Sequence, residues 1–390
     1  MKRILSILLS LALLVSMFAG CSSSASEDKG TNAESTTSTT AQVETKKVSD
    51  SVVIGASYPV DCEVSIHTKE QADYLSGNYK KMPSGVDGTA ELSRPQETVF
   101  QWVYNGELGP DDEFVINVSE NKNMSDSFTY TTNQESCIVY NLKIAQDYYW
   151  TVSIGDETSE VAHFTTEDSA PRNIYIDGIT NVRDLGGRVN EDGKRINQGL
   201  IYRCGRLNDS DENGSDVIIT DMGKQMMSML LGVKSEIDIR QIDNGENGGI
   251  TSSPLGDDVN FYPCPMEWEG DTYKGNKEQI IKVFSILADE DNYPVIIHCA
   301  IGTDRTGMLS FLINSLLGVD EDALFKDYMF SNFADIGGSR KITNLTKSGY
   351  YKAIKDADGD TWSEKTYNSL VDLGVSEKDL DALIDIMLDD

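Results

Sequence analysis

One stretch of the sequence joins a buried strand to a buried helix through a loop of a few residues. The segment YPVIIH (293–298) is apolar and β-branched, as strands inside a sheet are, and apolar side chains recur at helical spacing from Met308 to Leu317. Strand-like segments such as GLIYR and KSEIDIR alternate with helix-like segments through the same region. This alternation predicts an α/β domain over residues 169–390, with a central mostly parallel sheet and flanking helices. The other predicted helices are Thr220–Leu231, Lys277–Leu287 and Glu377–Leu388.

The loop itself, CAIGTD, carries the residues that suggest chemistry. Free N–H groups and the dipole at the start of a helix favour an anion, and they favour a thiolate over a thiol at Cys299. Gly302 and Gly307 allow the backbone to curve tightly and approach a ligand closely. Arg305 offers a planar, two-pronged donor for two oxygens of a tetrahedral anion. Together these groups indicate attack on a phosphate ester through a phosphocysteine intermediate.

The same residues allow other interpretations of this loop to be compared with a phosphatase. A structural turn with a buried thiol would use the same pattern. A cysteine protease would need a separate imidazole base, but His298 should point away from Cys299, and the two other histidines lie in the N-terminal half. A Walker nucleotide loop would need a lysine that GTDRTGM lacks. The net charge of −31 argues against nucleic acid as a partner, and three scattered histidines argue against a histidine-built metal site.

Residues 51–168 have a different sequence pattern, which is typical of half-buried strands and contains no helix-like run. Segments such as FVINV, FTYTT, YYWTVSI and VAHFTT alternate between apolar and polar residues, so an all-β sandwich of about seven strands is predicted. The segment NLKIAQDYYWTVSI resembles the tyrosine-corner segment of fibronectin type III domains. This domain is either a spacer or a module that binds a cell-surface ligand. The resemblance rests on Leu142, Tyr148, Trp150 and Val152, with Trp102 as the inter-sheet core tryptophan.

The first 21 residues predict a signal peptide, because Lys2 and Arg3 precede an apolar run that ends in AGC. A transmembrane helix is the alternative. The sequence FAGC resembles a bacterial lipobox, which implies a lipid-modified Cys21 and an exported protein anchored to the outer face of the cytoplasmic membrane. Residues 22–50 are almost devoid of apolar side chains and are predicted to be a disordered linker. Export permits disulfides, and the pairing among Cys62, Cys137, Cys204 and Cys264 stays open, with free thiols as the alternative.

The segment HCAIGTDRTG resembles the HCxxGxDRTG signature of the bacterial tyrosine and dual-specificity protein phosphatases. Further segments resemble motifs of the same family: GITNVRDLGG (178–187), IYRCGRL (201–207), GVKSEIDIR and LLGVDEDALFKDYMFSNF. The resemblance implies a cysteine-phosphatase fold and a mechanism without a metal or other cofactor. It implies phosphotyrosine, and with it phosphoserine or phosphothreonine, as the substrate. Phosphoinositides or inositol polyphosphates are the alternative, and a surface-binding lipoprotein with an inert phosphatase domain is an alternative of another class.

The same resemblance assigns roles within the loop. Cys299 is the nucleophile, Arg305 clamps the phosphate, and the hydroxyl of Thr306 can donate to the departing sulfur. The general acid is Asp304 or Asp238, and Asp238 is preferred because a proton donor to the leaving group must stand opposite the cradle. The remaining substrate-binding residues are Ala300, Ile301, Gly302, Thr303, Gly307 and Arg240, the last of which pairs with a carboxylate or lines the mouth of the site.

Three further features leave alternatives open. Many relatives carry a lysine where this chain has Thr303, a residue associated with phosphoinositide head groups, and its absence weakens the lipid interpretation. Residues 172–206 are rich in arginine and lysine, which indicates either a basic island that concentrates anions or a solvated, turn-rich face. The segment 334–352 is either a lid over the site or an insertion.

Overall fold

The computed structural model describes residues 53–208 and 218–388, which fall into two compact units. Among these residues, the first unit comprises 53–63, 99–138 and 147–165, and the second comprises 64–98, 139–146 and 166–388. The predicted signal peptide, Cys21 and the linker lie outside the described residues. No helix in the described part of the chain has the length and apolar character needed to cross a membrane.

The first unit is made of antiparallel strands in two sheets. The strands are β1 (Ile54–Tyr58), β2 (Glu63–Val64), β3 (Thr98–Tyr104), β4 (Phe114–Ser119), β5 (Phe128–Thr132), β6 (Ser136–Val139), β7 (Asp147–Ile154), β8 (Glu157–Thr158) and β9 (Ala162–Thr166). One sheet has the order β1-β3-β6, and the other has β2-β9-β7-β4-β5, with β8 paired to β7. The predicted strand pattern is therefore present in this unit.

An aromatic core joins these two sheets. Phe100 of β3 packs edge-to-face against Trp150 of β7, with ring centroids 4.9 Å apart, and against Phe164 of β9 at 5.5 Å. Trp102 packs against Phe114 at 5.1 Å and is buried, as predicted for an inter-sheet tryptophan. Alternate residues of β7 are buried, which places Trp150 and Val152 on one face of the strand. Cys62 and Cys137 are free thiols in this unit.

The prediction of one uninterrupted β domain up to residue 168 is wrong in one respect. Residues 64–98 and 139–146 belong by their packing to the second unit, and the first of these segments forms a helix, α1 (Lys69–Ser76). Thr68 and Gln71 close a capping box at its start. Tyr74 of this helix packs against the rings of Phe330 and Phe333 at 6.2 and 5.7 Å. Burial of this aromatic side chain, which the short sequence pattern does not reveal, draws the segment into the second unit.

The second unit contains the predicted mostly parallel sheet. Its strands are β10 (Arg183–Asp184), β11 (Ile201–Cys204), β12 (Ser235–Asp238), β13 (Asn260–Pro263) and β14 (Val295–His298), in the order β10-β11-β14-β12-β13. All pairings are parallel except that of β10 with β11. The central strand, β14, is the one that runs into the CAIGTD loop, so the sheet presents this loop at the middle of its carboxyl edge.

Helices cover both faces of this sheet. They are α2 (Asp221–Gln225), α3 (Lys277–Leu287), α4 (Arg305–Leu316), α5 (Glu321–Phe330), α6 (Ile342–Thr346), α7 (Gly349–Asp356), α8 (Trp362–Leu373) and α9 (Glu377–Leu388). Ile297 belongs to the core cluster that contains α3 and α4, whereas Ile296 belongs to the cluster on the other face with Met227. Every residue of α4 is buried, which fixes the helix that follows the loop.

Truncation of a core aromatic should destabilise the first unit far more than truncation of an exposed one. Phe114 is 0% exposed and Phe128, on the neighbouring strand, is 38% exposed. We expect Phe114→Ala to lower the free energy of unfolding by about 3–5 kcal/mol, and Phe128→Ala by about 1 kcal/mol or less. Urea denaturation followed by tryptophan fluorescence measures both changes. Equal losses in the two variants would contradict the assignment of Phe114 to the core.

Candidate active site

Cys299 is the first residue after the central strand, and Arg305 is the first residue of the buried helix α4. The thiol-bearing residue is 1% exposed, and Arg305 is 6% exposed. Asp304 occupies the N-cap position of α4, but its side chain makes no capping hydrogen bond. The N–H groups of the first turn are therefore not satisfied by this side chain, and the positive end of the helix dipole faces the loop.

The carbonyl groups of the loop accept hydrogen bonds from residues outside it. Arg206 donates to the Ala300 carbonyl through its backbone N–H and its Nε, at 3.2 and 3.1 Å. The Asn181 Nδ2 group donates to the Ile301 carbonyl at 3.1 Å. The Arg203 guanidinium donates to the Gly302 carbonyl. Because three successive carbonyls are held on the outside, the N–H groups of the loop are available to an anion in front of Cys299.

Gly302 is required by this arrangement for two reasons. Its φ of +70° lies in the left-handed region that favours glycine. A Cβ atom at this position would also lie 2.5 Å from the carbonyl oxygen of Cys204, on the neighbouring strand β11. The tight curvature predicted at Gly302 is present, and the close approach that it allows is to the protein backbone at Cys204, while its approach to a ligand stays a prediction.

Arg305 is held by Glu246, a residue that the sequence did not single out. The two guanidinium Nη atoms donate to the two carboxylate oxygens of Glu246, with Nη1 to Oε2 at 2.8 Å. Nη1 also donates to the carbonyls of Ile239 and Met266, at 3.3 and 3.1 Å. Burial by itself raises the pKa of Glu246, but the hydrogen bonds from Arg305 outweigh it and lower the pKa. The carboxylate stays ionised and fixes the plane of the guanidinium next to the loop.

The structure does not support Asp238 as the general acid. Both of its carboxylate oxygens accept hydrogen bonds from Arg240, from Nε at 2.9 Å and from Nη2 at 2.8 Å, and the side chain is 2% exposed. Burial by itself raises the pKa of Asp238, but the charge of His298 and the hydrogen bonds from Arg240 outweigh it and lower the pKa. At 2% exposure, the Asp238 carboxylate is out of reach of a leaving group and cannot deliver a proton to it. The predicted pairing of Arg240 with a carboxylate is confirmed.

Asp304, the other candidate, lies at the open side of the loop. Its side chain is 49% exposed. Arg340 donates to both carboxylate oxygens, from Nε to Oδ1 at 3.2 Å and from Nη2 to Oδ2 at 3.0 Å, and the Tyr328 hydroxyl donates to Oδ1 at 3.5 Å. Arg340 belongs to the segment 334–352, so this segment reaches the mouth of the site. Only Asp304, of the two aspartates, is accessible to a leaving group.

Two threonines of the loop are buried in different settings. The Thr303 hydroxyl accepts a hydrogen bond from Asn181 Nδ2 at 3.3 Å and donates to the Ile301 carbonyl at 3.3 Å, so this side chain faces the protein interior. The Thr306 hydroxyl has no hydrogen-bond partner among the described residues. A buried hydroxyl without a partner is costly, and a thiolate or phosphorylated sulfur at Cys299 would offer one.

A buried trio of Glu236, Asp238 and His298 lies behind the loop, with ligand-type atoms within 4.8 Å of one another. Its groups are engaged with protein partners. His298 Nε2 faces Glu236 Oε1 at 2.9 Å, the other Glu236 oxygen accepts from Ser253, and Asp238 is bound by Arg240. The donor set is therefore explained as a hydrogen-bond network that anchors the strand ends β12 and β14.

Of the seven basic residues of 172–206, four are buried: Arg172, Arg183, Arg188 and Arg203. The interpretation of this stretch as a solvated face is therefore wrong, and much of its positive charge lies inside the protein. Arg183, Arg188 and Arg203 are buried around one carboxylate, Asp327 of α5, with the Arg188 and Arg203 contacts at 2.7 and 2.8 Å. Burial by itself raises the pKa of Asp327, but the three guanidiniums lower it far more. Burial and the charge of Arg203 lower the pKa of Arg183 to about 9, so it stays cationic near neutral pH. This group is connected to the loop by Arg203, whose guanidinium donates to the Gly302 carbonyl.

Cys204 and Cys264 are free, buried thiols. Burial raises the pKa of both thiols, that of Cys264 to about 11. Cys204 belongs to the core cluster on one face of the sheet and Cys299 to the cluster on the other. Cys264 belongs to the same cluster as Cys299, so of these two thiols only Cys204 packs on the opposite face of the sheet.

Comparison with known proteins identifies what this arrangement resembles. The sequence model of the tyrosine phosphatase family matches residues 174–388. The triple specificity protein phosphatase PtpB of Mycobacterium tuberculosis is 33% identical over 92 residues, which are 23% of this chain and 33% of that protein. The putative tyrosine-protein phosphatase H16_A0669 of Cupriavidus necator is 25% identical over 171 residues, which are 41% of this chain and 63% of that protein. The chain thus spans less than two thirds of each of these relatives.

Solved structures of low similarity were also found. The core catalytic domain of the PP-IP phosphatase SIW14 from S. cerevisiae is 16% identical, with a TM-score of 0.27, over 44% of this chain and 85% of that one. TpbA from P. aeruginosa is 18% identical, with a TM-score of 0.28, over 44% and 88%.

Replacement of each aspartate by asparagine should have a different effect, on catalysis for Asp304 and on stability for Asp238. We expect Asp304→Asn to lower kcat about 10²- to 10⁴-fold with a phosphate ester of tyrosine, and less with p-nitrophenyl phosphate, whose leaving group needs less protonation. Asp238→Asn leaves Arg240 buried beside a neutral group and should lower the free energy of unfolding by about 3–5 kcal/mol. Steady-state kinetics and urea denaturation of both variants test this. If the Asp238→Asn protein folds, and its kcat depends more strongly on the leaving group than that of Asp304→Asn, Asp238 is the acid instead.

Proposed function

This chain belongs to the tyrosine phosphatase family, and on that premise we propose that it hydrolyses phosphomonoesters, phosphotyrosine foremost, through a phosphocysteine intermediate. One observation carries the proposal. Cys299 and Arg305 lie at the two ends of a loop whose carbonyls face outward, and Glu246 holds the Arg305 guanidinium beside that loop. This arrangement offers a nucleophile, a cradle of N–H groups and a fixed cation to one phosphate group.

In the first step, the Cys299 sulfur attacks phosphorus as the bond from phosphorus to the leaving oxygen breaks. Arg305 and the loop N–H groups bind the non-bridging oxygens, where negative charge is spread in the transition state. Asp304 donates a proton to the leaving oxygen, because it is the exposed carboxyl beside the loop. The products of this step are an alcohol or phenol and the phosphorylated sulfur.

In the second step, water attacks phosphorus and the sulfur–phosphorus bond breaks. The Asp304 carboxylate accepts a proton from the water, which is the reverse of its first role. The buried Thr306 hydroxyl donates to the departing sulfur and so gains the partner that it lacks. Inorganic phosphate leaves, and Cys299 and Asp304 return to their starting states.

A protein substrate is favoured over a phosphoinositide by the environment of Thr303. Its side chain is 0% exposed and is bonded to Asn181 inside the protein. The loop therefore offers no cation at the position where relatives carry the lysine associated with inositol head groups. The names of the relatives, one a triple specificity protein phosphatase and one a putative tyrosine-protein phosphatase, agree with this proposal. Phosphoserine and phosphothreonine peptides are the next candidates.

The setting of the enzyme is part of the proposal. The N-terminal sequence supports export and lipid attachment at Cys21, which would hold the enzyme at the outer face of the cytoplasmic membrane. The two-sheet first unit, with the buried Tyr148 and Trp150 on β7, supports a fibronectin type III-like module. We assign it the role of a spacer, and a cell-surface ligand is the alternative. No cofactor is invoked at any step.

Replacement of the nucleophile should abolish turnover. We expect Cys299→Ser to lower kcat for p-nitrophenyl phosphate and for a phosphotyrosine peptide by at least about 10⁴-fold, because a hydroxyl is a much weaker nucleophile at neutral pH. Cys62→Ser, at a half-buried free thiol of the first unit, is the matched control and should keep full activity. Malachite-green detection of phosphate measures both.

The same assay separates the alternative functions. A panel of phosphotyrosine, phosphoserine and inositol phosphate substrates, compared by kcat/KM, should rank phosphotyrosine first. A higher kcat/KM for inositol phosphates would replace the proposed substrate class. If the purified protein binds cell wall and releases no phosphate from any substrate, the phosphatase domain is inert and the proposal fails.

Lipid attachment is tested on the full chain in a bacterial host. We expect the wild-type protein to incorporate radiolabelled palmitate and to sediment with membranes, and Cys21→Ala to do neither, because the lipobox needs a thiol for the lipid. Cys62→Ser again serves as the control. Membrane association of the Cys21→Ala protein would indicate that the apolar N-terminal run itself acts as the anchor.

A further inference from the structure

A cavity of about 370 Å³ lies within the second unit, and one of its lining residues, Arg340, contacts Asp304 of the Cys299–Arg305 loop. Its volume falls within the range of small-ligand pockets. Three cations line it, Lys80, Arg340 and Lys341, against one carboxylate, Asp87. The chain as a whole carries a net charge of −31, so a cavity with this excess of positive charge stands out from its surroundings.

The rest of the lining is largely apolar. Met82, Val86, Met329 and Ile342 contribute side chains to the cavity. Val86 is 5% exposed and Met329 is 4% exposed, so this part of the wall is packed into the protein. A ligand that fills the cavity would therefore need an aliphatic body as well as a negatively charged end.

The cavity is formed where two segments of the chain are bonded together at Gly88. The Gly88 N–H donates to the Asn332 carbonyl at 2.9 Å, and its own carbonyl accepts from the N–H groups of Ile336 and Gly338 at 3.0 and 2.9 Å. A Cβ atom at Gly88 would lie 2.7 Å from the Gly338 carbonyl oxygen. These bonds join the segment 80–88 to the segment 329–342, which together supply all the residues that line the cavity.

Arg340 lines this cavity and also contacts Asp304 of the Cys299–Arg305 loop. Its Nε and Nη2 donate to Asp304, while its Nη1 donates to the Gly338 carbonyl at 3.1 Å. Its backbone is held by Asn332, whose side chain accepts from the Arg340 N–H at 2.6 Å and donates to its carbonyl at 3.0 Å. Arg340 therefore connects the lining of the cavity to Asp304.

We propose that this cavity is a specificity subsite that binds an acidic side chain, glutamate or aspartate, next to the phosphorylated residue of a peptide substrate. The proposal rests on the proposed phosphatase function. Lys80 and Lys341 attract the carboxylate, and Arg340 links the occupied cavity to Asp304, which acts on the leaving group. The aliphatic part of the acidic side chain covers the apolar lining.

An inositol phosphate fits this lining less well. Its ring carries hydroxyl or phosphate groups on every carbon, and these groups would lose hydration against Met82, Val86 and Ile342 without gaining partners. A glutamate side chain places methylene groups there and a single charge at its end. The apolar lining thus decides in favour of a peptide.

Two sets of phosphotyrosine peptides test the proposal on the full chain. In one set, a single glutamate is placed in turn at each of the four positions before and the four positions after the phosphotyrosine. In the other set, glutamine takes the place of that glutamate. At one or two adjacent positions, we expect kcat/KM to be about 2- to 5-fold higher with glutamate, the range that partly exposed ion pairs produce. No preference at any position would overturn the proposal.

Substitution of the cations identifies the cavity as the source of the preference. In the double variant Lys80→Gln, Lys341→Gln, the ratio of kcat/KM between the two peptides should fall close to one. The matched control, Lys277→Gln with Lys378→Gln, changes two exposed lysines of α3 and α9 that do not line the cavity, and should keep the ratio. Loss of the preference in the control as well would show a general charge effect, and would overturn the proposal.

Two further measurements separate this inference from the function on which it rests. If p-nitrophenyl phosphate and both peptides are hydrolysed without a preference, the subsite fails and the phosphatase function stands. If nothing is hydrolysed, fluorescence anisotropy with labelled peptides on Cys299→Ser protein still compares glutamate with glutamine, and equal affinities overturn the subsite. Faster hydrolysis of an inositol phosphate that the lysine double variant abolishes would assign the cavity to that ligand instead.

Discussion

The outward hydrogen bonds of the Cys299–Arg305 loop are the constraint on which the rest of the second unit depends. A loop that turns its N–H groups toward an anion must turn its carbonyls the other way, and buried carbonyls without donors are costly. Asn181, Arg203 and Arg206 meet that need at three successive residues. The anion site therefore requires donors placed outside it as much as the residues that line it.

This need accounts for the buried arginines, which are otherwise hard to explain. Burying several guanidiniums is expensive unless each is paired. Arg203 uses one side of its guanidinium for the loop and the other for Asp327, and the same carboxylate also meets Arg188. Asp327 thus joins helix α5 to the catalytic loop through one intervening side chain. The excess positive charge of the group lies below a site that is proposed to bind a dianion, which is favourable electrostatically.

Local patterns predicted what depends on neighbouring residues. The strand β14, the helix α4, the tight turn at Gly302 and the pairing of Arg240 with a carboxylate follow from residues within a short stretch, and the structure confirms them. Partners that arrive from distant parts of the chain were not predictable. Glu246 lies in a loop of glycine and asparagine with no periodic pattern. The preference for Asp238 was wrong because only the fold shows that its side chain is buried and that of Asp304 is exposed.

The predicted boundary of the β domain was wrong for a related reason, and the correction matters for the surroundings of Asp304. Strand patterns on both sides of residues 64–98 made the whole region look like one β domain, because alternation reports local burial and not the partner that supplies it. The segment instead packs through Tyr74 and Gly88 onto the second unit. It thereby places Lys80 in the lining of the cavity that also contains Arg340, and Arg340 contacts Asp304. Residues 64–98 precede residues 174–388, which the tyrosine phosphatase model matches, so a part of the chain outside that match lines a cavity that also contains Arg340, a partner of Asp304. The proposed acidic subsite therefore depends on this segment as well as on the matched residues.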